Sequence, residues 1–151
     1  NSLRPDTIMI TNREKVGQKI FVLDSKYYRY GATGIKNHLP DSASIVKQFA
    51  YAEYIEKNDS IPEKIKRNRT ENSVFNAFIM PACTEKIKNI GYAGADYILP
   101  EKDSSDVSFV PEKSWHKIHG ILLDTKTVME HAAKKDNELI EQLAAAIEEN
   151  R

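Results

Sequence analysis

Ile20-Phe21-Val22-Leu23-Asp24-Ser25-Lys26 is the stretch on which the reading of this chain turns. Four apolar residues without a polar break are the pattern of a strand covered on both faces, as in parallel and mixed sheets. The run passes directly into Asp24, Ser25 and Lys26. Side chains alternate along a strand, so Asp24 and Lys26 point into one pocket and Ser25 faces the other way. Upstream, Thr7-Ile8-Met9-Ile10 is short, apolar and β-branched, follows Pro5-Asp6, and reads as a second strand. Polar residues 11–18, with Gly17, form the turn between them. Two adjacent strands can bring Asp6 and Asp24, separated by seventeen residues of sequence, to within a few ångströms of each other. Two such carboxylates make an oxygen-rich site for a hard divalent cation such as Mg²⁺, and the Ser25 backbone carbonyl is a further candidate ligand.

Working outward, the stretch with Gly31, Gly34 and Pro40 reads as loop, and Asp41 or Ser42 as the N-cap of a helix of about sixteen residues. Ile45, Phe49, Ala52 and Ile55 form one apolar stripe on it. Gln48 falls on the same stripe and must face the packed layer, where a polar group needs a partner. Val74 to Met80 reads as the next strand, and Ile87 to Leu99 as a strand or hairpin. Residues 100–114 form a polar loop. Ile118 to Leu123 is a further strand, followed directly by helix. Leu139, Ile140, Leu143, Ala144 and Ile147 mark a second amphipathic stripe in an acidic C-terminal helix. The order β-β-α-β-β-β-α predicts an α/β fold, a mixed β-sheet with helices packed on its faces.

Composition removes several classes of function. At 151 residues the chain buries about 70% of its unfolded surface and needs no covalent staples. Lys+Arg and Asp+Glu are 22 each, which excludes a basic nucleic-acid tail and an acidic disordered chain but leaves room for a local basic groove. The single cysteine, Cys83, rules out an intramolecular disulfide framework and fits a reducing, cytoplasmic setting. No apolar run approaches a membrane span and no signal peptide opens the chain, so no membrane partner is expected.

Carboxylates, a metal and an ammonium group together suit phosphodiester hydrolysis. The metal polarises the phosphate and acidifies a bound water, while the lysine orients that water or stabilises developing negative charge. On these residues the chain resembles the PD-(D/E)xK nuclease superfamily, the fold of most type II restriction endonucleases. Phe21 to Tyr28, a glycine-containing loop, Leu39-Pro40 and a helix with Gln48 and Tyr51 follow an order similar to that of the FokI-type cleavage domain. The likeness to the LlaJI family is looser. The FokI-type likeness spans roughly residues 3–58, with a looser match of later strands to about residue 130.

The resemblance implies a restriction-endonuclease-like mixed β-sheet flanked by helices on both faces. It implies Asp6 and Asp24 as metal ligands, Lys26 as the catalytic lysine and, as a weaker carry-over, Gln48 beside the site. The cofactor would be Mg²⁺, with Mn²⁺ able to substitute. The substrate would be double-stranded DNA, cut to leave 5′-phosphates, as in type II and IIS enzymes. Sequence recognition would sit in a separate domain or subunit, and a homodimer on DNA would serve double-strand cleavage. Many members add an acidic residue from a helix upstream of the first aspartate. Only five residues precede Asp6, and the chain opens Asn1-Ser2-Leu3 without methionine. The expectation is one nuclease domain over residues 1–151, a fragment lacking that helix.

Other features have competing readings. Asp106 and Asp124-Thr125-Lys126 repeat the same offset and D-x-K pattern after Ile121-Leu122-Leu123, but Asp124 or Thr125 sits where a helix begins and reads as its cap. Lys57, Lys64, Lys66, Arg67 and Arg69 leave residues 57–69 at +3. Lys64, Lys66, Arg67 and Arg69 are the candidate DNA contacts, a solvated loop being the alternative. Tyr27, Tyr28 and Tyr30 read as packing, or as contacts to a sugar-phosphate backbone. Trp115 reads as core or interface. His116 and His119, near a strand, lack zinc spacing with Cys83. The same fold would also serve a repair or phage nuclease, an RNA-directed defence nuclease, or a non-catalytic DNA-binding or assembly domain. Coincidental motifs on a small α/β interaction domain are the remaining alternative.

Overall fold

In the computed structural model, β1 (Thr7–Thr11) and β2 (Gln18–Ser25) form an antiparallel hairpin, with Thr7 opposite Leu23 and Thr11 opposite Lys19. The structure describes residues 5–13, 15–25, 28–57, 69–94, 113–134 and 137–149, and no side chains for residues 69–72. The hairpin turn uses positive φ at Asn12 and Gly17, and the Asn12 side-chain amide donates to the Gly17 carbonyl at 3.3 Å. After a one-turn helix α1 (Tyr30–Thr33) comes α2 (Ser42–Lys57). Asp41 caps α2, its Oδ1 accepting the Ser44 N–H at 2.8 Å.

β3 (Arg69–Pro81) lies parallel to β2, and β5 (Ile118–Leu123) lies parallel to β3. β4 (Lys88–Ala93) closes the other edge antiparallel to β5, giving the order β1-β2-β3-β5-β4. α3 (Thr125–Lys134) and α4 (Glu138–Glu148) follow. The three inner strands are parallel and buried on both faces, which is why Ile20–Leu23 has no polar break. On one face Ile20, Val22, Val74, Phe78 and Ile118 pack under Phe49, Ala52 and Ile55 of α2. On the other, Phe21, Leu23, Phe75, Ala77 and Ile121 pack against Leu143, Ala144 and Ile147 of α4. Phe21 and Phe75 stack there with ring centroids 5.0 Å apart. This is the mixed sheet with helices on both faces that the sequence predicts.

Local details differ from the expectation. β3 begins at Arg69 rather than Val74: Arg69 pairs with Gln18, and the register shifts before Val74 meets Ile20, over residues that carry no apolar pattern. Two C-terminal helices stand where one was expected after Leu123. Within the second stripe, Ile140 is 38% exposed while Ala146 is buried. The loop with Gly31 contains α1, and the reason for that glycine is packing. A Cβ on Gly31 would lie 1.9 Å from the Pro81 carbonyl oxygen at the end of β3. Backbone must move to admit it, so Gly31→Ala is expected to lower stability by at least about 2 kcal/mol. An unchanged thermal melt would contradict that contact.

β4, β5 and α4 meet at His119. It is buried, and its Nδ1 accepts an N–H from the Asn89 amide at 3.1 Å, which leaves the ring proton on Nε2. The same amide nitrogen donates to the Ala146 carbonyl of α4 at 2.9 Å. Burial, and then the nearby Lys117 charge, lower the His119 pKa to about 4. A free histidine titrates near 6.5, so between the two values the unfolded chain binds the extra proton. The contribution is therefore fully present above pH ~6.5 and is lost as pH falls towards 4, by roughly 2–3 kcal/mol in total. His119→Gln is expected to flatten this part of the acid dependence, read from urea midpoints between pH 7 and pH 4. An unaltered profile would assign the acid sensitivity to other groups.

Candidate active site

The β1–β2 register decides the geometry of the predicted carboxylates. Thr7 and Leu23 are the last pair of the ladder, so Asp6, in a bend just before β1, and Asp24, next to last in β2, lie at the same end of the hairpin. Alternation gives the side of the sheet. Met9, paired with Phe21, belongs to the core under α4, whereas Ile10, paired with Ile20, packs on the α2 side. Even-numbered positions of the two strands therefore face α2, Asp24 among them, while Asp6 precedes β1. Asp6 is exposed and Asp24 is 4% exposed, so the pair runs from solvent into the edge of the core.

Two aromatic side chains frame Asp24. Phe78 lies beside it in β3, and the Tyr28 ring meets Phe78 edge-on, with centroids 5.8 Å apart at 79°. The Tyr28 hydroxyl stands 3.5 Å from Asp24 Oδ2. Ser25, exposed at the end of β2, points to the opposite face, so only its backbone carbonyl is a candidate ligand.

Gln48 finds the partners its position on the stripe requires. Its Nε2 donates to the Val22 carbonyl at 2.9 Å and to the Ala77 carbonyl at 3.4 Å. Asn76, fully buried in β3, donates from Nδ2 to the carbonyls of Gln48 at 3.1 Å and Trp115 at 3.3 Å. Helix α2 is thus bolted to the strands two residues before Asp24. At its far end Glu56 Oε2 accepts from Lys113 Nζ and Trp115 Nε1, each at 2.9 Å, and Trp115 is core.

Magnesium is commonly held by one or two carboxylates, with water and substrate phosphate completing the shell. Two aspartates at one end of the hairpin, Asp6 and Asp24, fit that donor chemistry. Among the described residues no cluster of three or more His, Cys, Asp or Glu forms a competing metal site.

The chain matches the model of the LlaJI restriction endonuclease family over residues 1–126. It belongs to that family. No curated protein and no solved structure matches it significantly. Of the two restriction-enzyme likenesses seen in the sequence, the LlaJI one is therefore the likeness with a match. Membership implies a nuclease with DNA as its substrate. The matched region of this LlaJI-family chain holds the whole sheet, α2 and both aspartates, and stops at the start of α3. Among its described residues no helix is long and apolar enough to cross a membrane.

Asp24 and Gln48 lie on the α2 side of the sheet, and Asp6 lies just before β1 at the same end of the hairpin as Asp24. Lys26, Lys64, Lys66 and Arg67 lie outside the described residues, and Arg69 contributes only its backbone, paired with Gln18. Lys57 is exposed and paired with Glu53 one turn back, a hydrogen bond that holds its pKa above the ordinary lysine value. The second D-x-K separates from the first. Asp124 Oδ1 accepts the Lys126 N–H at 3.2 Å, the geometry of a helix N-cap for α3, while Asp106 lies outside the described residues. Sequence reasoning did not single out Asn76. Its signal is a lone amide inside the otherwise apolar run Val74 to Met80.

Proposed function

We propose that this LlaJI-family chain is a metal-dependent DNA endonuclease of the PD-(D/E)xK type. It would act as the cleavage domain, residues 1–151, of a type II or IIS-like restriction enzyme and leave 5′-phosphates. The observation that supports the proposal is the β1–β2 hairpin, whose last pair, Thr7 with Leu23, leaves Asp6 and Asp24 as the next residues at one end of it. Asp6, Asp24 and the Ser25 carbonyl would hold Mg²⁺, with Mn²⁺ able to replace it. When bound, the ion supplies a Lewis acid for the scissile phosphate and lowers the pKa of its water.

The protein's own groups do the rest. The low exposure of Asp24 keeps water from competing for its carboxylate. Lys26, two residues on, orients the attacking water or balances the charge that develops on the phosphate. Gln48 holds α2 to β2 and β3 through the Val22 and Ala77 carbonyls, and so fixes the strand that carries Asp24. Lys64, Lys66, Arg67 and Arg69 would contact backbone phosphates, whose neutralisation supplies most sequence-independent DNA affinity. Net charge is zero, which suits a cleavage module working with a separate recognition domain or subunit. Pairing of two such domains on DNA would cut both strands, in the cytoplasm of the host cell.

End chemistry tests the reaction class. Duplex DNA incubated with the protein and Mg²⁺ or Mn²⁺ is expected to yield fragments that a ligase joins without prior kinase treatment. Absence of cleavage with either ion, or 5′-hydroxyl ends, would overturn the proposal.

A further inference from the structure

We infer that Tyr28 is a positioning residue for the metal site, acting through the Asp24 carboxylate. The inference rests on the metal-site reading above and assigns a role to a residue outside the D-x-K pattern. Three observations carry it. The Tyr28 hydroxyl is 3.5 Å from Asp24 Oδ2, with the phenol as donor and the carboxylate as acceptor. The ring that bears it is half-buried and packed against the α2-side core. Its edge-on contact with Phe78 sets the ring plane, and Phe78 is itself the β3 neighbour of Asp24.

A hydroxyl carried on a fixed ring cannot swing away as a serine or lysine would. Tyrosine has only two soft side-chain torsions, and the Phe78 contact restrains both. Groups that hydrogen-bond a ligating carboxylate in this way commonly contribute ten- to a hundred-fold to metal affinity, because the ligand no longer has to be ordered when the ion arrives. The long O···O separation places Tyr28 at the low end of that range. Simple packing is the competing role, and it makes a different prediction, since phenylalanine would satisfy it.

Calorimetric titration of Mn²⁺ into the chain and into Tyr28→Phe, Tyr28→Leu and Asp24→Asn separates the two roles. Tyr28→Phe keeps the ring and its contact with Phe78 and removes only the hydroxyl. It is expected to bind Mn²⁺ about ten-fold more weakly, with an unchanged thermal melt. Tyr28→Leu is expected to lose the same affinity and to melt lower as well. Binding that is lost in Asp24→Asn but unaltered in Tyr28→Phe would overturn the inference and leave the metal site standing. Binding indifferent to Asp24→Asn, or absent altogether, would overturn both.

Discussion

Asp24→Ala is expected to reduce DNA cleavage by about three orders of magnitude or more while the protein stays folded. A metal-held phosphate gains several kcal/mol of charge stabilisation in the transition state, and each ~1.4 kcal/mol is a factor of ten in rate. Asp24 is the more sheltered of the two carboxylates, and no other described carboxylate on β2 can replace it. The measurement is single-turnover cleavage at saturating Mg²⁺, with circular dichroism to verify the fold. Asp6→Ala should follow in the same direction. Its smaller burial leaves more room for water to take its place, so its loss should be the lesser of the two. Full activity in Asp24→Ala would remove the proposed site.

The second large effect concerns Gln48. Its amide is buried between α2 and the sheet, beside Asn76, and both of its hydrogen bonds go to sheet carbonyls. Gln48→Ala removes those bonds, at about 1 kcal/mol each, and leaves a cavity between α2 and β2. A total of about 3 kcal/mol is expected, or roughly 6–12 °C in melting temperature for a domain of this size. Gln48→Leu fills the volume without restoring the donors and is expected to lose less, about 1–2 kcal/mol. The pair also separates positioning from chemistry. Assayed at a temperature where it is fully folded, Gln48→Leu is expected to keep most of its cleavage rate. A hundred-fold loss of rate in a well-folded Gln48→Leu would instead put the amide in direct contact with the reacting groups.

Much of this was legible in sequence, for identifiable reasons. Ile20–Leu23 announced a strand buried on both faces because two helices, α2 and α4, cover its two sides. The position of Gln48 among Ile45, Phe49 and Ala52 forced it inward, and a buried amide must find acceptors. The antiparallel pairing of β1 with β2 follows from a short polar turn between apolar runs. The D-x-K pattern by itself was uninformative, as Asp124 shows by capping α3.

What escaped the sequence depends on distant contacts or on backbone alone. Gly31 looks like any loop glycine until Pro81, fifty residues away, is placed against it. The first residues of β3 show no apolar period, and only Arg69 pairs with β2 before the register shifts to Val74. Asn76 broke an apolar run visibly, but its partners, Gln48 and Trp115, come from elements on either side of it in sequence. Tyr28 was readable as packing, and it does pack on Phe78. Its approach to Asp24 depends on how the chain turns after the strand.

The central claim is that Asp6 and Asp24 together hold the catalytic metal. Calorimetric titration of Mn²⁺ into the protein and into the Asp6→Ala, Asp24→Ala double variant tests it without knowledge of the DNA target. The account predicts a binding event in the unmodified protein that disappears in the double variant, with both proteins giving the same circular dichroism spectrum. Equal binding in the two, or none in the unmodified protein, would contradict it.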